Sequence, residues 1–215
     1  MLLKINNRED WLQARQNQGI GGSEAGAVLG LNKYTTNVDL WELKTGRTEP
    51  ADLSDNAAVQ FGKFAEPLLR ELFKQDYPEY KVDYHEFYIY ANDTYPFIFA
   101  TLDGEITAPD GSRGILEIKT TTIQNRNQWD EWEDKIPDSY FVQVLHQLAA
   151  TGWDFVILKA YIRYHVDNEV RVTIRHYRIK RRDYENDIAY LIQTERDFWE
   201  KVQNDEKPNL ILPNI

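Results

Sequence analysis

Glu117 and Lys119 stand two residues apart in Gly114-Ile115-Leu116-Glu117-Ile118-Lys119-Thr120, a run whose apolar members mark a β-strand. On a strand, residues 117 and 119 share one face while Ile118 points to the other. Holding a carboxylate and an ammonium side by side on a sheet face costs free energy unless something uses them. The preceding strand ends in Thr101-Leu102-Asp103-Gly104, and a hairpin turning at Asp110-Gly111 brings Asp103 near Glu117. Two carboxylates and a lysine then converge. Such a set supplies oxygen ligands to a hard divalent cation, and a positive group to orient attacking water or neutralise a pentavalent phosphate.

Glu-x-Lys alone carries little information. It recurs at Glu42-Leu43-Lys44, Glu79-Tyr80-Lys81 and Glu133-Asp134-Lys135. The first lies on a helix, where the two side chains are about 200° apart, and the other two lie in turn-like, proline-marked segments. Only 117–119 is embedded in a β-run behind a separate strand bearing Asp-Gly. On residues alone, a metal-dependent nuclease and an edge strand with a cross-strand ion pair stand as equal readings.

The elements that position these groups are legible from periodicity. Asn6 or Asn7 caps a turn leading to Trp11, Leu12 and Arg15. Gly19-Ile20-Gly21-Gly22 breaks the chain, Ser23 caps a helix to Leu29, and Asn37 caps another that ends at Gly46. A longer helix over 55–76 carries Phe61, Phe64, Leu68, Leu69, Leu72 and Phe73 on one side, with a kink or two abutting helices expected at Pro67. Strands follow over 81–90, 97–107 and 114–120, then a helix over 139–151 stopped by Gly152. A hairpin comes next: alternation from Val156 to Tyr164, a turn at Asp167-Asn168-Glu169, and a return strand whose parity slips at Tyr177 and Ile179, predicting a bulge near His176. The last helix spans 182–204. This order predicts a single mixed α/β (α+β) domain, a central mixed sheet flanked by helices.

The chain has 215 residues, 42% of them hydrophobic and 13% aromatic, enough to build one core without staples. It has no cysteine, which excludes disulfides, a thiolate zinc site and a thiol nucleophile. The N-terminus lacks a secretory pattern and no apolar run is long enough to span a bilayer, so a cytoplasmic protein without membrane contact is expected. The net charge of −10 argues against coating nucleic acid by bulk electrostatics, though not against a local basic groove.

Five landmarks stand in order along the chain: Trp11-x3-Arg15 before Ile20-Gly21-Gly22-Ser23-Glu24-Ala25; Leu40-Trp41-x2-Lys44-x-Gly46; Gly62-Lys63-x2-Glu66; Thr101-Leu102-Asp103-Gly104 before Leu116-Glu117-Ile118-Lys119; and Tyr140-x2-Gln143-Val144-x2-Gln147-Leu148. Together they resemble the YqaJ-type, lambda-exonuclease-like viral recombinases of the PD-(D/E)xK nuclease superfamily. The resemblance runs from about Trp11 to Trp153 and implies a restriction-endonuclease-like core; the chain is read as one nuclease domain over 1–215, with N-terminal helices over 1–76, a catalytic sheet and helix over 80–180, and a C-terminal helix over 182–204. The resemblance further implies that Asp103, Glu117 and the Ile118 carbonyl bind Mg²⁺, with Mn²⁺ as a substitute, that Glu66 joins them directly or through water, and that Lys119 is the catalytic lysine. Gln143 matches the family's site glutamine, although from the residues alone Gln143 and Gln147 read equally as the wet face of their helix. Arg15 and Ser23 match positions that contact a 5′-phosphate in lambda-type enzymes, and Thr101 stands where that pocket has a serine, its hydroxyl able to serve instead. The Arg15–Ser23 spacing is one residue longer here, and Leu145 stands where many relatives have a second glutamine.

The activity so implied is 5′→3′ exonuclease action on double-stranded DNA ends in phage-type recombination inside a bacterial host. It comes with a homotrimer threaded by DNA and a single-strand annealing protein as partner. An endonuclease on the same core and a non-catalytic acidic adaptor are the rival readings. From Arg171 to Arg182 there are six basic residues and no acidic one, read equally as a phosphate-tracking surface or as charge balance. Trp129 and Trp132 sit among acidic residues, which favours core packing or a subunit contact over stacking on DNA. The histidines at 85, 146, 165 and 176 lack metal-ligand spacing and are read as structural.

Overall fold

In chain order the computed structural model, which describes residues 1–17, 19–167 and 169–212, begins with β1 (Leu2–Lys4), α1 (Arg8–Asn17), β2 (Ile20–Gly21), α2 (Gly22–Val28), α3 (Asn37–Lys44) and α4 (Ala57–Asp76). Five strands follow: β3 (Lys81–Asp83), β4 (Tyr88–Ala91), β5 (Ile98–Ala100), β6 (Gly104–Thr107) and β7 (Arg113–Ile123). Then come α5 (Arg126–Asp130), α6 (Asp138–Thr151), β8 (Phe155–Val166), β9 (Glu169–Lys180), a 3₁₀ turn at Arg181–Asp183 and α7 (Glu185–Gln203). No described helix is long and apolar enough to cross a membrane.

The strands form two sheets, ordered β1-β4-β5-β2 and β3-β6-β7-β8-β9. Two segments expected as single strands each divide between them. Residues 81–90 become β3 and β4, and 97–107 become β5 and β6, one half in each sheet. Alternation looks the same whichever sheet receives a strand, so the division is set by what covers each half: Val82 and Ile106 pack under α4, Ile89 and Phe99 against α1. The second break falls at Thr101-Leu102-Asp103 and leaves Asp103 at the seam between the sheets.

In the larger sheet β7 and β8 are parallel, and helices cover both faces. Ala65, Leu69 and Phe73 of α4 pack on Leu116, Ile118 and Ile157. Val144, Leu145 and Leu148 of α6 pack on Ile115, Val156 and Leu158. The expected bulge near His176 does not form, since β8 and β9 keep one register from Phe155↔Lys180 to Val166↔Glu169. The parity change has another cause: His176 packs on Phe73 and Tyr77 on the α4 side, while Tyr177 packs on Trp132 on the α6 side. Asp167 adopts φ +50° in the hairpin turn, and Asn168 lies outside the described residues.

Several helix starts differ from expectation. Asn7 caps α1 as expected, its Oδ1 accepting from the Asp10 N–H at 2.9 Å. Ser23, however, is not a cap: β2 runs straight into α2, Gly21 is the N-cap, and the Glu24 carboxylate accepts from its N–H at 2.8 Å. Asn37 is buried one position inside α3, bonded to the Asn209 carbonyl and the Ile211 N–H, while Thr36 does the capping. The 3₁₀ turn takes Arg182, so α7 starts at Glu185. Pro67 does not divide α4, which runs as one helix capped by Asn56. Only part of its apolar side is covered: Phe64, Leu68 and Leu72 remain 69%, 58% and 39% exposed.

Gly114 must lack a side chain because a Cβ there would sit 2.2 Å from the Phe155 ring. Gly114→Ala is expected to lower stability by about 1–3 kcal/mol, the usual cost of overpacking. A urea melt of the variant checks this.

Candidate active site

β6 stops short while β7 runs on. The last paired rung between them is Gly104↔Leu116, yet β7 continues to Ile123, held on its other side by β8. Asp103 takes the place of the missing strand: its Oδ2 accepts from the Ile118 N–H at 2.8 Å. The N–H and C=O of a strand residue point to the same side, so the Ile118 carbonyl also faces this open edge. Asp103 makes no other hydrogen bond to the described protein.

On the α6 face, Glu117 is clasped by three donors. Lys119 Nζ lies 2.7 Å from its Oε1, Gln143 Nε2 donates to the same oxygen at 2.6 Å, and Gln147 Nε2 donates to Oε2 at 2.6 Å. Lys119 also donates to Gln143 Oε1 at 2.9 Å and sits 5.0 Å from the centre of the Tyr140 ring. Gln143 and Gln147 are therefore not a wet face. Gln147 is buried, and its Oε1 has no partner. The two glutamines lie one helical turn apart on α6, a spacing that already places them on one face.

Glu66 enters from α4, its Oε1 bonded to Arg70 at 2.7 Å, and the Arg70 guanidinium in turn lies 3.5 Å from the centre of the Tyr84 ring. Arg70 was not among the expected site residues. Its position four residues after Glu66, one turn along a helix, was the available signal.

The carboxylates repel one another. Burial pushes Asp103 well above the ordinary carboxylate range, and the charges of Glu117 and Glu66 push it further. Burial also raises Glu66; Arg70 opposes this and Glu117 adds to it. For Lys119, burial alone would lower the pKa, but Glu117 and Asp103 outweigh it and keep the ammonium charged. Among the described residues no three His, Asp or Glu side chains close around one point as metal ligands, and Glu117 is turned to its lysine and amide donors. The oxygens themselves, from Asp103, Glu117, the Ile118 carbonyl and Glu66, are the hard donors a divalent cation takes. Their mutual repulsion is what such a cation relieves.

The expected phosphate-binding residues lie on three elements. Arg15 is on α1, its guanidinium 4.5 Å from the centre of the Trp11 ring and within the field of Glu24. Ser23 is on α2 and Thr101 precedes β6 at the seam. None of the three hydrogen-bonds to another among the described residues. α2 does abut the carboxylate site, since a Cβ on Gly22 would touch Gln143 and Gln147 at 3.4 and 3.6 Å. Glu24 also pairs with the buried Lys44 at 2.8 Å, which ties the second landmark to the first.

The other marked residues have structural partners. Trp132 is core, 3% exposed, and Trp129 packs on Tyr164. His146 is fully buried, its ring nitrogens 2.6 Å from Glu195 Oε1 and 2.8 Å from the Phe99 carbonyl. No local pattern announces that pair, whose members are 49 residues apart. In the basic run, Arg171 pairs with Glu169 and Arg181 with Glu185.

Comparison with known proteins bears on the same stretch. A YqaJ-like viral recombinase domain matches residues 10–154. The uncharacterized protein YqaJ of Bacillus subtilis (strain 168) is 34% identical over 208 residues, covering 95% of this chain and 59% of that protein. The chain thus spans less than two thirds of that relative's length. Among solved structures, an alkaline exonuclease from Laribacter hongkongensis, LHK-Exo, aligns with a TM-score of 0.66 at 21% identity, covering 92% of this chain and 94% of that one. The same protein in complex with dAMP gives 0.67 at 22% identity. These likenesses show the lambda-exonuclease-like fold. The domain match takes in the whole stretch from the first helix to the end of α6, where Asp103, Glu117, Lys119 and Gln143 meet, and on that match this chain belongs to the YqaJ-like viral recombinase domain family.

Proposed function

We propose that the chain is a Mg²⁺-dependent deoxyribonuclease that degrades one strand of duplex DNA 5′→3′ from its ends, in phage-type homologous recombination. The observation that carries this reading is the seam itself, where Asp103 caps the open edge at Ile118 while Glu117 and Lys119 lie on the adjoining face. The LHK-Exo relative is an alkaline exonuclease crystallised with dAMP, which supports a deoxynucleotide product.

Asp103, Glu117 and the Ile118 carbonyl would hold Mg²⁺, with Glu66 beside them, and Mn²⁺ would substitute. When bound, the ion supplies Lewis-acid charge at the scissile phosphate and lowers the pKa of attacking water. Glu117 must give up a donor to face it. Gln143 is suited to that exchange because it bonds both Glu117 and Lys119. Lys119, kept charged by the carboxylates, is placed to orient the water or to neutralise charge developing on the phosphate. Arg15, Ser23 and Thr101 are proposed to receive the 5′-phosphate of the end. The uncovered stripe of Phe64, Leu68 and Leu72 suits a contact between subunits, here proposed as a homotrimer around DNA, with a single-strand annealing protein as the further partner.

End-labelled linear duplex, with and without a 5′-phosphate, and covalently closed circular plasmid test the reading together. In Mg²⁺ the linear duplex is expected to shorten from its 5′ ends, faster when phosphorylated, while the circle stays intact and EDTA stops digestion. Cleavage of the circle would replace the reading by an endonuclease. No digestion of either substrate would replace it by a binding protein.

A further inference from the structure

β9 ends the five-stranded sheet, and none of the described chain pairs with its outer edge. The Arg181 N–H donates to the Asp154 carbonyl at 2.8 Å, on the β8 side. Because backbone groups alternate along a strand, Ile179, Tyr177 and Arg175 also turn theirs to β8. The N–H and C=O groups of Ile174, His176, Arg178 and Lys180 therefore face outward, a row of unpaired donors and acceptors. Alongside runs a groove of about 820 Å³, whose far wall is the segment from Glu133 to Asp138 and the start of α6.

The two sides of this edge differ in chemistry. Toward α6 the groove is lined by the apolar and aromatic Ile136, Phe141, Tyr177 and Tyr184, with a rim of mixed charge: Glu133, Asp134 and Asp138 beside Lys135 and Arg175, the latter bonded to the Trp132 carbonyl. Toward α4 the edge carries positive charge that the chain does not pair. Arg178 donates to the Tyr80 hydroxyl at 2.9 Å and lies over Phe155, with no carboxylate in ion-pair contact. Lys180 has no ion pair among the described residues, and Arg182 meets only Asp183, at 3.7 Å. Asp110, Asp154 and Glu185 line the hollow beneath; Asp110 feels the Arg178 charge and Glu185 pairs with Arg181, but none of them makes an ion-pair contact with Arg178 or Lys180. In a chain of net charge −10 this edge gathers Arg178, Lys180 and Arg182, the first two without a direct ion pair among the described residues.

We propose that the outer edge of β9 docks an extended peptide segment of a partner protein, in which acidic residues alternate with apolar ones. The segment adds a sixth strand to the sheet by main-chain hydrogen bonds, and the alternation of its side chains supplies the specificity. Its apolar residues enter the groove beneath α6, among Ile136, Phe141, Tyr177 and Tyr184. Its acidic residues meet Arg178 and Lys180 on the other face. A DNA strand fits less well, because a phosphodiester backbone cannot complete a β-ladder. A second copy of β9 fits less well too, because it would set like charges opposite one another. The inference does not depend on the nuclease reading.

The probe is a fluorescein-labelled decapeptide alternating glutamate with valine and tyrosine, titrated against the full chain by fluorescence anisotropy. It is expected to bind at least tenfold tighter than a peptide of the same composition with its glutamates in one block. N-methylation at every second residue should abolish binding in one phase and spare it in the other, since only alternate amides face β9. Arg178→Glu with Lys180→Glu should weaken binding at least tenfold, with an unchanged circular dichroism spectrum and an unchanged thermal melt. Amide exchange at Ile174, His176 and Arg178 should slow when the peptide is added. Equal binding of the block peptide, indifference to both N-methylation phases, or no binding at all would overturn the proposal. So would a charge-reversed variant that loses duplex DNA while keeping the peptide, or one that loses only self-association.

Discussion

Asp103→Asn is expected to lose about 10²-fold or more of DNA cleavage and, in the same sample without metal, to melt at a higher temperature than the parent chain. The loss follows from removing one charged oxygen donor, since a bound cation's charge stabilisation is worth several kcal/mol. The gain follows from the repulsion at the seam. Asp103 is pushed upward by burial and by Glu117 and Glu66, so its ionised form is held against an unfavourable field. Asparagine keeps an oxygen to accept from the Ile118 N–H and carries no charge. A single stabilising substitution commonly yields about 0.5–2 kcal/mol, and in a chain of this size each kcal/mol is about 2–4 °C.

The pH dependence has a definite sign. In the unfolded chain Asp103 titrates in the ordinary range near ~3.9, and in the folded chain it keeps its proton to higher pH. The metal-free fold therefore bears no penalty at the acid end. The penalty begins as pH rises past the unfolded value and is complete above the folded one. The melting gap between Asp103→Asn and the parent should open over that window. Mg²⁺ should reverse it, since a ligand that binds only the folded state stabilises that state. Thermal melts of both proteins with and without Mg²⁺ measure this. A variant that melts below the parent at neutral pH without metal would show that the carboxylates do not repel as their burial and proximity require.

The second large effect is on folding. His146→Leu should cost about 3–5 kcal/mol, because it strands the Glu195 carboxylate in the interior without its partner. Both side chains are fully buried, and both nitrogens of the ring face acceptors, Glu195 Oε1 at 2.6 Å and the Phe99 carbonyl at 2.8 Å. Burial alone would strip the ring of its charge, but Glu195 and the two hydrogen bonds outweigh it and raise the pKa above the ordinary histidine value. This contribution is complete below about 6.5, the unfolded value, and is lost as pH rises through the folded one. His146→Leu combined with Glu195→Leu should recover most of the loss, since a buried ion pair replaced whole by apolar groups is often neutral. Urea melts of the two single variants and the double variant, run at two pH values, form the test. Equal losses in all three would show that His146 acts through packing rather than charge.

Much of this site can be read from local spacing. Glu117 and Lys119 share a face because a strand repeats every two residues, and Gln143 and Gln147 share one because a helix turn brings residues four apart together. The long α4, the strand β7, the helix α6 and the β8–β9 hairpin all announce themselves by the same periodicities. A periodic pattern reports which side of an element is apolar. It does not report what covers that side. Hence the two broken strands, the uncovered Phe64, Leu68 and Leu72, and the cause of the parity change in β9 became visible only once α1, α4 and α6 were in place. Charge behaves in the same way. Nothing near His146 in the chain points to Glu195, and nothing near Lys44 points to Glu24, because the energy of a buried pair depends on a distance through space that folding alone sets. The residue types and local geometry of the chemistry are thus written along the chain, whereas their burial, and the field each one feels, come from packing between elements remote in sequence.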